Sequence, residues 1–203
     1  MIASLDAPSA SEGASTVVGT DQETRLRGFA MLVALGDQHT ASVAWRRALD
    51  ARARHRPRQP MPLAEGWLRR RVLREIDEGL HDRVERLISF ADDELEVGRR
   101  ATLRALGASD AVIHGLKSLS PRERGVVVAY AVERLDPREI GEMLGRGEPA
   151  THRIITRAMR RYVRGAEAML AQEPWARRQA GGEIAARVEA AAGRAVSGRE
   201  EPA

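Results

Sequence analysis

The chain has 203 residues, enough for one domain or two small ones, and 43% of them are hydrophobic although only 3% are aromatic. The formal net charge is +4, and cysteine is absent, which excludes disulfides, thiolate metal sites and cysteine nucleophiles. No apolar run reaches the roughly 18 residues of a membrane span, and no secretion signal begins the chain, so we expect a soluble cytoplasmic protein. Because Ala, Arg, Glu and Leu dominate, we predict an all-α fold.

The first part of the chain lacks periodicity and then shows apolar residues at helical spacing. Residues 1–20 are rich in Ser, Ala, Gly and Thr, which predicts a disordered arm. Leu26, Phe29 and Val33 then recur at helical spacing until a Gly36-Asp37 pair breaks the pattern. Three prolines between residues 54 and 62 predict a loop. The predicted helices cover residues 22–35, 40–53 and 63–76.

The balance of charge reverses near residue 75. Ten arginines and two acids lie between Val43 and Arg74, whereas acids dominate residues 75–96. An apolar stripe also runs through the acidic stretch, so we predict a partly packed helical connector, with a solvated charged helix as the alternative. A short helix is predicted from about Asp110 to Leu116.

Two helix start signals of the same kind follow, at Ser120-Pro121-Arg122-Glu123 and at Asp136-Pro137-Arg138-Glu139. In each, an N-cap residue precedes a proline at the first helical position, and a glutamate three residues after the cap can bond back to it. Gly145-Arg146-Gly147 then predicts a tight turn with a left-handed backbone. The plan is that of a helix-turn-helix. The predicted helices cover residues 121–134, 137–144 and 149–170, and a flexible tail is predicted over residues 172–203.

The helix predicted over residues 149–170 has an apolar face and a basic face. The face that is predicted to pack comprises Thr151, Ile155, Ala158, Met159 and Tyr162. Between Pro149 and Arg164 there are five arginines and no acid. Arginine suits contacts with phosphates and base edges, and an ordinary solvated amphipathic helix is the alternative. The candidate DNA contacts are Arg138, Thr151, His152, Arg153, Thr156, Arg157, Arg160 and Arg161.

These motifs resemble region 4 of bacterial sigma factors, and the chain as a whole is most similar to those of the extracytoplasmic-function type. The resemblance runs without a gap from Leu116 to Tyr162, about a quarter of the chain. It implies a C-terminal helix-turn-helix that holds promoter DNA. Residues 149–154 depart from the family pattern, and Arg134 stands where the family usually has glycine. The resemblance rests on Leu119-Ser-Pro-Arg-Glu-Arg124, Glu139-Ile-Gly141, Met143-Leu-Gly145 and Arg157-Ala158.

The first half of the chain is similar to region 2 of the same family in its Gly36-Asp37 pair, its proline loop and Trp67-Leu68-Arg69-Arg70. The core-binding helix of the family carries acids, whereas the matching stretch here reads Ala41-Ser-Val-Ala-Trp-Arg-Arg47. The resemblance implies two small helical domains joined by a linker: a region 2-like domain over 21–76, an acidic linker over 77–115 and a helix-turn-helix domain over 116–171. The residues implied in binding core RNA polymerase are Ser42, Val43, Arg46, Arg47 and Trp67.

The resemblance implies a transcription initiation factor whose partners are promoter DNA, core RNA polymerase and an anti-sigma factor, with no cofactor and no small-molecule substrate. Two alternatives stay open because the core-binding acids and the usual recognition residues are missing. The first is a DNA-binding regulator that does not bind polymerase, and the second is a sigma mimic that sequesters an anti-sigma partner. An enzyme is not expected, since phosphate-loop, zinc-protease and nucleophile-elbow motifs are absent and the five histidines show no metal-ligand spacing.

Overall fold

The computed structural model describes residues 12–54, 64–84, 93–172, 186–188 and 190. Their regular structure is entirely helical, which confirms the predicted all-α fold for this part of the chain. None of the described helices is both long enough and apolar enough to span a membrane. A π-helical turn covers Val128–Val132. The α-helices are α1 Glu12–Val33, α2 Gln38–Arg54, α3 Ala64–Val84, α4 Asp93–Ala105, α5 Asp110–Lys117, α6 Pro121–Val127, α7 Pro137–Leu144 and α8 Glu148–Gln172.

The first three helices pack against one another through apolar and small side chains. The helix α1 contributes the predicted stripe of Leu26, Phe29 and Val33, all of which are buried. On α2 the buried side chains are mostly alanines, which let the neighbouring helices approach closely. The buried apolar positions on α2 and α3 are Ala41, Ala44, Ala48, Leu68, Val72, Leu73 and Ile76.

The predicted break at Gly36 and Asp37 forms the turn between α1 and α2. Gly36 has a φ of +76°, and a Cβ at this position would lie 2.4 Å from the carbonyl oxygen of Arg99, so only glycine fits. One carboxylate oxygen of Asp37 accepts a hydrogen bond from the Thr40 N–H at 3.0 Å, and the other accepts one from Arg99 at 3.2 Å. The turn therefore fixes the start of α2 and ties α4 to it.

The helix α5 packs along α8. A Cβ at Gly115 would lie 2.5 Å from the Tyr162 ring, and a Cβ at Gly165 would lie 2.5 Å from the Ser118 hydroxyl. Two glycines thus allow the helices to approach, so the C-terminal group begins at Asp110. The packing of α5 on α8 thus extends upstream of the predicted boundary at residue 116, and it is a tertiary contact that local start signals do not show.

The helices α1–α3 form an N-terminal group and the helices α5–α8 form a C-terminal group. The two groups share one buried core. The helix α3 lies against α6 and α7, and a Cβ at Gly125 would lie 2.4 Å from the Leu73 side chain. Arg69 and Glu133 form a buried ion pair across this interface, with Nη2 of Arg69 2.8 Å from Oε1 of Glu133. The two groups are therefore in direct contact through α3.

Three segments differ from the predictions. The helix α1 begins at Glu12, inside the predicted arm, because extending a helix that is anchored by buried side chains costs little. The helix α3 continues to Val84, inside the predicted linker. In the predicted tail, Val188 is buried and the Arg187 guanidinium donates to the Val132 carbonyl at 3.3 Å, so these two residues contact the helical core. Most of the predicted tail lies outside the described residues. The start of the predicted arm, the proline loop and residues 85–92 lie outside the described residues.

Candidate nucleic-acid interface

The two helices before α8 begin with the predicted capping boxes. The Ser120 hydroxyl accepts a hydrogen bond from the Glu123 N–H at 3.4 Å, and Oε2 of Glu123 accepts one from the Ser120 N–H at 3.1 Å. Asp136 and Glu139 make the same reciprocal pair at 2.8 and 2.9 Å. Each box satisfies backbone donors that the helix itself leaves unpaired, so the first turns of α6 and α7 are fixed.

A left-handed glycine sets the angle between α7 and α8. Gly145 has φ +64° and ψ +43°, and its N–H donates to the Glu142 carbonyl at 3.2 Å. This C-cap ends α7 sharply. Gly141 lies in α7 and faces the turn, so that a Cβ there would be 2.7 Å from the Arg146 carbonyl oxygen. Only residues 145–147 separate the two helices, which confirms the predicted helix-turn-helix.

The helix α8 carries its buried and basic residues on opposite sides. The predicted packing residues are all buried: Thr151, Ile155, Ala158, Met159 and Tyr162. The other side carries four exposed arginines, which we call the α8 stripe: Arg153, Arg157, Arg160 and Arg164. Their spacings of four, three and four residues align them along one side of the helix. Arg164 is not among the predicted contacts, although its spacing from Arg160 identifies it.

No carboxylate in the described part of the chain neutralises the α8 stripe. The side-chain contacts with carboxylates that α8 makes there come from His152 and Arg161 and leave the four stripe arginines without an ion pair. A row of uncompensated guanidinium groups on a convex helix face produces a positive potential along that face. This surface therefore attracts an extended polyanion.

Three further predicted contacts flank the α8 stripe or lie on α7. Arg138 is exposed in the first turn of α7. His152 is exposed, with Nε2 3.7 Å from Oε1 of Glu148. The hydroxyl of the half-buried Thr156 donates to the His152 carbonyl at 3.0 Å. His152 and Thr156 thus border the stripe on one side.

Two of the predicted contacts are engaged inside the protein. Thr151 is fully buried, and its hydroxyl donates to the Gly147 carbonyl at 3.0 Å. The structure therefore places Thr151 on the packing face of α8, as its spacing predicts, and away from the exposed side where the predicted DNA contact would lie. Arg161 is 47% exposed, but its guanidinium lies 2.9 and 3.0 Å from the two oxygens of Glu123, so its charge is neutralised by α6.

Glu123 is held in its charged form by the groups around it. Burial raises the pKa of its carboxyl, but the hydrogen bonds from Ser120 and the charge of Arg161 lower it more, so the pKa lies below the ordinary value of 4.5. The same carboxylate caps α6 and holds Arg161 of α8. It therefore fixes the position of α8 relative to α6.

The residues implied in polymerase binding do not all lie on one surface. Ser42 and Arg46 line a cleft between α1, α2 and α4. Arg47 instead pairs with Glu75 of α3, with Nη1 3.0 Å from Oε2. Val43 and Trp67 are half-buried and lie outside the lining of that cleft.

The described residues include no group of three or more His, Asp or Glu side chains placed to hold a metal ion. What the C-terminal helices offer a ligand is positive charge on a convex surface. A phosphate backbone matches such a surface better than a small molecule does, because its charges are spread along its length.

The fold and the arginine surface define a helix-turn-helix module of the DNA-binding class. The family model described as Sigma-70, region 4 matches residues 115–161, so this segment is a sigma region 4-like helix-turn-helix. The match includes both capping boxes, the Gly145 turn and the α8 stripe as far as Arg160. Comparisons with curated proteins and with solved structures found no match.

Proposed function

We propose that this chain is a sigma-like transcription protein whose C-terminal module holds duplex DNA with α8 in the major groove. The observation that carries the proposal is the unpaired α8 stripe on a helix-turn-helix that matches sigma region 4. In such modules the start of the recognition helix reaches base edges, and later basic residues contact phosphates. We therefore assign base-edge contacts to Arg153 and Arg157, and phosphate contacts to Arg160 and Arg164.

The finer proposal is that the protein acts in transcription initiation as a sigma factor of the extracytoplasmic-function type, with core RNA polymerase and promoter DNA as its partners. The sequence resemblance of the first half to region 2 supports this proposal. A DNA-binding regulator that does not bind polymerase is the second candidate. It is favoured by α2, which presents exposed Arg46 and Arg47 where the family carries acids.

The DNA-binding proposal is tested with duplexes that the full-length protein enriches from a random pool. Arg153→Ala and Arg157→Ala should each weaken binding to the enriched duplex by about 1–3 kcal/mol and relax the preference at one base position. Fluorescence anisotropy at fixed salt measures the affinities, and Arg100→Ala, an exposed arginine of α4, is the matched control. Unchanged affinity and preference in both α8 variants would reject the assignment.

Polymerase binding separates the finer proposals. The full-length protein is labelled and titrated with core RNA polymerase over a range of salt concentrations, beside a known sigma factor as the positive control. Stable binding followed by promoter-dependent transcription supports the initiation factor. DNA binding without polymerase binding selects the regulator. If neither polymerase nor duplex DNA binds, both are rejected, and tight binding to an anti-sigma protein would then identify a sigma mimic.

A further inference from the structure

The second prominent surface is a cleft of about 930 Å³ between α1, α2 and α4, which shares no residue with α7 or α8. Its apolar lining includes Met31, Trp45 and Leu106, and its polar lining includes Arg27, His39 and Arg46. Among the residues that the structure describes, no carboxylate lines the cleft. The hydrogen bond from Gln38 to Thr102, at 3.1 Å, joins α2 to α4 at the cleft, so the cleft exists before any partner binds.

The described lining of the cleft carries positive charge. Arg27 and Arg46 are exposed, and neither has an ion-pair partner within the described ranges. The Arg46 guanidinium lies 5.6 Å from the centroid of the Trp45 ring. This cation–π contact holds one charge beside the apolar lining. A partner must therefore supply both apolar and acidic groups.

We propose that this cleft docks an acidic amphipathic helix of a partner protein, with its apolar side chains on Met31, Trp45 and Leu106 and its carboxylates facing Arg27 and Arg46. Of the twelve described residues that line the cleft, seven are exposed, so the cleft is shallow and suits a macromolecule better than a small ligand. The α1 wall, from Thr24 to Met31, spans about two helical turns, which matches the anchor spacing of a helix bound in a groove.

A single-stranded nucleic acid fits the cleft less well. Binding of single strands relies on aromatic rings whose faces are open for base stacking. The tryptophan in this cleft, Trp45, has the Arg46 guanidinium over its ring. The apolar side chains of Met31 and Leu106 also make no favourable contact with a charged phosphate backbone.

The test uses three labelled helical peptides that share one Leu/Trp stripe and carry Glu, Gln or Lys beside it. We expect the Glu peptide to bind the full-length protein about ten-fold more tightly than the Gln peptide, and the Lys peptide to bind most weakly. The double variant Arg27→Glu/Arg46→Glu should reverse the order and prefer the Lys peptide. The control Arg54→Glu/Arg100→Glu makes the same change of charge at exposed positions of α2 and α4 outside the cleft, and it should keep the original order.

Three outcomes would overturn the proposal: no binding of any peptide, equal binding of the Glu and Gln peptides, or an unchanged order in Arg27→Glu/Arg46→Glu. Binding of an oligothymidine that is lost in this double variant, without peptide binding, would assign the cleft to nucleic acid instead. Circular dichroism checks the fold, and Arg27→Gln/Arg46→Gln replaces the reversal if that variant unfolds; it should bind the Glu and Gln peptides equally. Duplex DNA affinity is measured in parallel, so failure of this proposal is distinguished from failure of DNA binding.

Discussion

Arg134 ends the π-helical turn in a left-handed backbone conformation, with φ +59°. A Cβ in this region is crowded by the backbone, and the strain is about 1–2 kcal/mol. The Leu135 N–H donates to the Ala129 carbonyl at 3.0 Å, so the position is needed to close the turn. The sigma factors that this segment resembles usually have glycine at this position. Glycine adopts the left-handed conformation without strain, whereas arginine does not.

Arg134→Gly should raise the free energy of unfolding by about 1 kcal/mol, because glycine adopts this conformation without strain. Arg138→Gly is the control, since Arg138 lies in α7 and glycine there lowers helix stability. Urea unfolding of both variants measures the change. A loss of stability in Arg134→Gly similar to that in the control would contradict the conformation.

Glu123→Gln should lower the free energy of unfolding at neutral pH by roughly 1 kcal/mol, because the charged partner of Ser120 and Arg161 is lost. The folded pKa of Glu123 is below 4.5, so the stabilisation is complete above the unfolded pKa and is lost as the pH falls through the folded pKa. The gap between variant and wild type should therefore shrink on acidification. Urea unfolding at pH 7 and pH 3 measures it, and a constant gap would be incompatible with the lowered pKa.

For the individual helices, the sequence predicts the features that depend on residues close together in the chain. The bounds of α7 follow from the Asp136 cap and the Gly145 stop, which act over a few residues. The burial of Thr151 also follows from its spacing, since it lies four residues before the buried Ile155. In contrast, the contact of α5 with α8 and the burial of Val188 depend on residues far away in the chain, so no local pattern reveals them.

The ion pair between α3 and the end of the π-helical turn provides an element-scale prediction. Glu133→Ala should lower the free energy of unfolding by about 3–5 kcal/mol, because it removes the buried carboxylate that pairs with the 3%-exposed Arg69 side chain. Glu78→Ala breaks the exposed Arg74–Glu78 pair on α3 and should change stability by less than about 0.5 kcal/mol. Thermal or urea unfolding compares the two, and equal small effects would show that Glu133 does not join the two groups.

At the scale of the whole molecule, one core supports two separate surfaces. The α8 stripe lies on the C-terminal group, and the cleft lies among α1, α2 and α4; they have no residue in common. The sequence predicts the first surface, because the spacing of the arginines along one helix can be read from neighbouring residues. It cannot predict the second, because three helices that are distant in the chain form the cleft.

The salt dependence of the affinity for duplex DNA tests whether the α8 stripe is the DNA-binding surface. The variant Arg153→Gln/Arg157→Gln/Arg160→Gln/Arg164→Gln is compared with Arg27→Gln/Arg46→Gln/Arg54→Gln/Arg100→Gln, which removes the same charge elsewhere on the surface. We predict a large loss of affinity and a slope of log K against log salt that flattens by roughly 1 per lost phosphate contact in the stripe variant only. If the stripe variant kept the affinity and the slope of the wild type, the α8 stripe would not be the DNA-binding surface.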